Sequence, residues 1–204
     1  MTPITERKSP HVHHQCPGSD DWYLLNDIAI HGDYAYVTDP YYNKLLVMDV
    51  VAALKGTCNV SSIKTPCPCA NGIVPYANGL LIARTEPGGI FYVDLLDEDL
   101  PFMEIATPDV GPYGLAIDGN ILYSAESTEN TINFSSLTES LSLQSLGKLE
   151  ASDFDYPTAA AFYDKYLCTV NARITSLPII GTAEGALDFN EEFSMSCVDR
   201  SFDE

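Results

Sequence analysis

Hard oxygen and amide donors recur through this chain at a spacing too regular for a single local motif. Asn26, Asn71, Tyr113 and Thr158 open four short apolar runs that begin 45, 42 and 45 residues apart. Thirteen residues after each stands a second polar group, Asp39, Arg84, Glu126 and Asn171, and Asp27 follows the first. Carboxylates and amide oxygens are the donors that Ca²⁺ or a similar divalent cation takes, roughly 6–8 of them at about 2.3–2.6 Å. Asn26 and Asn71 are the candidate metal ligands, with Asp27, Asp39, Arg84, Tyr113, Glu126, Thr158 and Asn171 around them. Taken one at a time, Asn and Asp at a strand start serve equally well to shape a turn. Convergence decides between the two, and convergence depends on the elements that carry them.

Those elements read as β-hairpins. The first runs, Asn26-Asp27-Ile28-Ala29-Ile30, Asn71-Gly72-Ile73-Val74, Tyr113-Gly114-Leu115-Ala116-Ile117 and Thr158-Ala159-Ala160-Ala161-Phe162, are each followed by a second apolar run. Between the two lie His31-Gly32-Asp33, Ala77-Asn78-Gly79, Asp118-Gly119-Asn120 and Tyr163-Asp164-Lys165. Gly, Asn and Asp in these segments suit the left-handed backbone of a tight connection. Folding each pair back on itself sets Asn26 opposite Asp39, Asn71 opposite Arg84, Tyr113 opposite Glu126 and Thr158 opposite Asn171. Third strands are expected at Lys44–Asp49 and Gly89–Asp94, with a weaker one at 131–134 and a short helix over 50–55. A strand repeat of roughly 40–50 residues is the signature of a β-propeller blade. The fold class is therefore all-β, a propeller with about four blades present. Residues 1–24 read as a leader or the remnant of a preceding blade, and 25–204 as the propeller. Because the innermost strand of every blade lines the axis, the four repeat starts should ring one end of a central channel.

Composition narrows the function classes. With 10 Lys and Arg against 29 Asp and Glu, the formal charge of −19 disfavours nucleic acid and favours cations, although it serves equally as a solubilising surface. No apolar run approaches the roughly 18 residues of a membrane span, and the first residues lack the apolar core of a signal peptide. A soluble chain is expected, cytoplasmic or, if truncated, secreted. Cys67-Pro68-Cys69 lacks the spacing of a zinc site and reads as a structural loop open to pairing with Cys58 or another thiol. His11-Val12-His13-His14 sits in a Pro-bearing leader with nothing to fix its geometry. The sequons at Asn59 and Asn133 matter only in a secreted protein. Nucleophile-elbow, phosphate-loop and His-Glu-x-x-His motifs are absent from the sequence, so a catalytic base or nucleophile is not identified.

Leu25-Asn26-Asp27-Ile28, Ala70-Asn71-Gly72-Ile73, Gly111-Pro112-Tyr113-Gly114-Leu115, and the last-blade run Tyr156–Ala160 with Leu167–Arg173 resemble inner strands of the gluconolactonase/regucalcin superfamily, to which the paraoxonases are related. That resemblance implies a six-bladed ring, hence a chain lacking about two N-terminal blades; a true four-bladed ring is the rival. It also implies an axial divalent cation, often Ca²⁺, that polarises a lactone or ester carbonyl while an acidic residue or His activates water. Asn71 and Asn26 match two of the family's Asn positions. Tyr113 stands where an Asp is expected, and the early-blade acid has no counterpart. The implied function is divalent-cation-dependent lactone or ester hydrolysis, weakened in this chain. The alternative is a non-enzymatic propeller that binds a small molecule or a protein through its top face.

Overall fold

The computed structural model describes residues 24–57, 60–107, 111–172 and 193–199. Alternating side chains and regular turns fold them into four antiparallel sheets in a propeller arrangement. The first sheet runs β1 (Ile28–His31), β2 (Tyr34–Asp39), β3 (Lys44–Asp49) and β4 (Val60–Lys64). The second has β5 (Ala70–Tyr76), β6 (Gly79–Arg84), β7 (Gly89–Asp94) and β8 (Phe102–Ala106). The third is β9 (Leu115–Asp118), β10 (Ile121–Glu126), β11 (Thr131–Leu137) and β12 (Leu143–Glu150). β13 (Pro157–Tyr163), β14 (Tyr166–Asn171) and β15 (Ser194–Asp199) form a three-stranded fourth sheet. The expected short helix is α1 (Val50–Leu54), started by Asp49, whose carboxylate accepts the Ala52 N–H at 2.8 Å.

All four hairpin turns fall where the sequence places them, and in each the first turn residue is left-handed: Gly32, Ala77, Gly119 and Asp164. Ala77 departs from expectation, since neither Asn78 nor Gly79 carries the strained conformation of the second turn. Register is as expected in the first and third hairpins, with Ile28 opposite Val37 and Ile121 opposite Asp118. In the second and fourth it holds from Ile73 to Tyr76 and from Ala159 to Tyr163, and slips by one only at the strand start. Bulges set Arg84 opposite Ala70 and Asn171 opposite Pro157, so Asn71 and Thr158 leave the ladder. For Asn71 the cause is a competing partner. Its carbonyl accepts the Thr38 hydroxyl at 2.7 Å, and the next N–H, of Gly72, donates to the Tyr113 carbonyl at 2.6 Å.

The core lies between blades. Ala29, Tyr36 and Leu45 pack on Ile73, Leu80, Ile82 and Phe91, joining the first blade to the second. Leu81, Ala83 and Tyr92 meet Leu115, Leu122 and Leu137 between the second and third. Ala116, Tyr123 and Ile132 meet Phe154 and Leu167 between the third and fourth. Among the described residues no buried apolar cluster joins the fourth blade to the first. Ile28 and Ile30 on the first inner strand are 54% and 60% exposed, and Tyr163 and Met195 on the last blade are 73% and 67% exposed. No helix is long and apolar enough to cross a membrane.

Candidate functional site

All four inner strands, β1, β5, β9 and β13, line one axial cavity of about 430 Å³. Its wall is aliphatic, with Ile28, Ile30, Ile73, Val74 and Leu115, and Asp27 is its one acidic side chain among the described residues. The convergence read from the repeats is therefore present, although Asn26, Asn71, Tyr113 and Thr158 stand outside the lining.

The polar groups at this end hold blades together. Asp27 accepts the Ile28 N–H at 2.8 Å through one oxygen and, through the other, the Ile73 N–H of the next blade at 2.9 Å. Asn71 donates its side-chain amide to Thr85 at 3.0 Å, and Thr85 passes its own hydroxyl proton to the Pro112 carbonyl at 3.2 Å. Ser127 makes the equivalent bridge to the Pro157 carbonyl at 2.5 Å. Asn26 is exposed, and its backbone N–H donates to Thr38. Tyr113 meets Tyr156 edge-on with the hydroxyls 3.5 Å apart; burial, then the Tyr156 contact, push its phenol up to about 12, so it is neutral. The glycines beside the candidate ligands have a steric task. A Cβ on Gly72 would lie 2.6 Å from the Tyr113 carbonyl, and one on Gly114 would lie 2.5 Å from that of Thr158.

The hairpin partners do not form one polar layer. Asp39 is buried and accepts the N–H groups of Tyr41 and Tyr42 at 3.1 Å, shaping the turn after β2. Arg84 pairs with Glu104 at 2.7 Å, donates to the carbonyls of Pro87 and Gly88, and covers the Phe91 ring. Asn171 is buried, donating to the Asp153 carbonyl and to Ser194 and Ser196, and accepting the Asp155 N–H. Each of these three sits in a local structural network, although the second oxygen of Asp39 is buried without a hydrogen-bond partner.

Glu126 differs. It is 1% exposed, one oxygen accepts the Ser124 hydroxyl at 2.8 Å, and the other has no hydrogen-bond partner. Asn133 is close enough to favour its ionised form without completing a bond to that second oxygen. Burial dominates and pushes the carboxyl up to about 7; Ser124 draws it down, the charge of Glu129 raises it, and Asn133 lowers it. Glu126 lines a separate cavity of about 460 Å³ between the second and third blades, away from the axial lining. Repeat symmetry identified this residue, but the cavity is formed by β10 together with β7, β8, β11 and β12, and no spacing rule connects those strands.

An axial Ca²⁺ calls for charge and for oxygens free to coordinate. Among the described residues no group of three or more His, Cys, Asp and Glu is gathered, and both oxygens of Asp27 already accept backbone N–H groups. This donor set does not fit a competent Ca²⁺ site. Cys67 and Cys69 are free thiols, against the pairing considered from sequence, and burial pushes Cys67 up to about 12. Among the described residues the disulfide is Cys168–Cys197, bridging β14 to β15. Cys58, Asn59 and the His11–His14 tract lie outside the described residues.

No protein-family model matches the chain, and no curated protein does. Solved structures do. A crystal structure of virginiamycin B lyase from Staphylococcus aureus superposes with a TM-score of 0.56 at 17% identity, over 76% of this chain and 50% of that one. A nidogen/laminin complex gives 0.58 at 19% identity, over 72% and 55%. The computationally designed Ika4 protein gives 0.54 at 12% identity, over 91% and 95%. This chain thus spans about half the length of the lyase and of the matched chain in the nidogen/laminin complex. With four sheets around one axis and these neighbours, the chain is a four-bladed β-propeller arrangement.

Proposed function

We propose that this chain is a small-molecule-binding propeller that seats the apolar part of its ligand in the axial channel and performs no reaction there. The supporting observation is the fate of the polar side chains at the channel mouth. Asp27, Thr38 and Thr85 spend their hydrogen bonds on neighbouring blades and Asn71 spends its amide on Thr85 of its own blade, leaving an aliphatic cavity of about 430 Å³ beside them. Cavities of this size with apolar walls and few polar groups suit small organic ligands. Titrating an apolar fluorescent dye into the protein and into Ala159→Trp, which fills the channel, tests the reading. Saturable one-to-one binding lost in the variant is expected; equal dye binding by both would overturn it, as would turnover of lactones or esters.

The second reading, divalent-cation-dependent lactone or ester hydrolysis, rests on the resemblance of the inner strands and on the position of Asp27 at the channel. The lyase likeness, at 17% identity, bears on the fold and supplies no reaction. Calorimetric titration with Ca²⁺ separates the two. The native chain should bind weakly at best, and Tyr113→Asp should bind more tightly if a cation belongs beside Asn26 and Asn71. Equal, negligible heats from both forms leave the binding reading in place.

A further inference from the structure

The cleft between the second and third blades has the features of a second, polar site. Its walls carry Ser124, Asn133, Ser135 and Ser145 around the Glu126 carboxyl, over a floor of Ile90 and Leu143. Besides Glu126, four of these six side chains bring hydroxyl or amide oxygens able to accept a hydrogen bond. The wall is shaped by an irregularity in the third sheet. A bulge pairs Phe134 with Gly147 but Ser135 with Ser145, leaving Leu146 as the extra residue. The extra residue inverts the alternation along β12, so Ser145 and Lys148 face the same cavity. Gly147 has a φ of +150°, and a Cβ there would lie 3.1 Å from the Phe134 ring. A bulge that re-aims side chains into a cavity is a feature of binding sites.

We propose that this cleft binds a small organic cation, a primary ammonium compound, whose N–H groups donate to the Glu126 carboxylate and to the surrounding hydroxyl and amide oxygens. The choice of a cation follows from the charges present. Among the described residues the cationic group facing the cleft is Lys148, and its ammonium is paired with Glu150 at the solvent edge. Glu129, on the turn after β10, adds a second negative charge near Glu126. From the second blade Ile90, Ala106 and Thr107 face the cleft and carry no charge. A neutral polyol would leave the carboxylate uncompensated in a buried setting, whereas an ammonium neutralises it and supplies three donors. The net charge of −19 also concentrates cations at the surface.

This site is independent of the axial channel, and its test uses another probe. Calorimetric titration of the full chain with n-butylammonium chloride, and with the neutral n-butanol of similar size, is run at pH 6 and pH 8. The ammonium is expected to bind more tightly than the alcohol. Its affinity should rise about tenfold between the two pH values, because Glu126 must release its proton to take the cation. Two buffers of different ionisation enthalpy should show proton release on binding at pH 6. Glu126→Gln should abolish both effects, while the exposed Glu98→Gln should change neither. Equal affinity for ammonium and alcohol, or ammonium binding unchanged in Glu126→Gln, overturns the proposal. Should Glu126→Gln not fold, carbon-13 NMR of glutamate carboxyls in the native chain serves instead. A saturating ammonium concentration must lower the titration midpoint of the buried carboxyl; an unmoved midpoint overturns the proposal equally.

Discussion

At the residue scale Asp27, Thr38, Thr85 and Ser127 hydrogen-bond across to a neighbouring blade, whereas Glu126 is buried with one oxygen unpaired. Asp27 shows the first behaviour, reaching 46 residues along the chain to the Ile73 N–H. Asp27→Ala leaves that N–H unpaired, and a loss of about 1–3 kcal/mol in chemical denaturation is expected. Gly72→Ala should cost a similar or larger amount, about 2–3 kcal/mol, because its Cβ meets the Tyr113 backbone at 2.6 Å and backbone has nowhere to rotate. Glu126 shows the second behaviour. Its folded pKa of about 7 lies above the ordinary value of 4.5, so between them the native state keeps a proton that the unfolded state has released. Stability therefore falls as pH rises through that window and levels off above about 7. In Glu126→Gln the pH slope should vanish, with a gain on the order of 2–3 kcal/mol above pH 7. An unchanged slope in urea melts across that range would show that Glu126 is ionised in the fold.

At the element scale the fourth blade is built differently from the others. It has three strands among the described residues, and its third, β15, is pinned to β14 by Cys168–Cys197 across 29 residues of sequence. A closed loop of that length stabilises by roughly 3–4 kcal/mol in the chain-entropy account. Replacing both cysteines by alanine should remove most of it from this blade first. Hydrogen exchange should then show lost protection over Tyr166–Asn171 while Leu80–Ala83, fully buried in the second blade, keeps theirs. Uniform loss across both segments would mean that the blades unfold as one unit.

At the scale of the whole molecule the inter-blade clusters among the described residues run from the first blade to the fourth, and none of them joins the fourth to the first. Ile28 and Ile30 at the axial cavity of the first blade, and Tyr163 and Met195 on the fourth, stand in exposed positions. Exposed apolar groups of this kind favour association. Sedimentation velocity over a concentration series should show reversible association, weakened by Ile30→Lys. A monomer at every concentration, with Ile30→Lys indistinguishable from the native chain, would show that these side chains do not drive contact.

Blade number, turn positions and strand order were legible in the sequence because they are local. A period-2 alternation needs only neighbouring residues, and a hairpin needs only a turn between two such runs. The outer strands β4, β8 and β12 were not read, since edge strands such as Val60–Lys64 bury little and show weak alternation. Register at Asn71 and Thr158 was not legible either. The bulge at Asn71 accompanies bonds with Thr38 and Tyr113, on blades that sequence spacing can align but cannot dock. Repeat symmetry placed Asp39, Arg84, Glu126 and Asn171 in equivalent positions, and the equivalence is topological. Only the tertiary structure decided that Arg84 and Asn171 are consumed by local partners, that Asp39 shapes a turn with one oxygen left unpaired, and that Glu126, also with an unpaired oxygen, lines a cavity. That outcome is set by the side chains arriving from the adjacent blade, which no period within one blade contains.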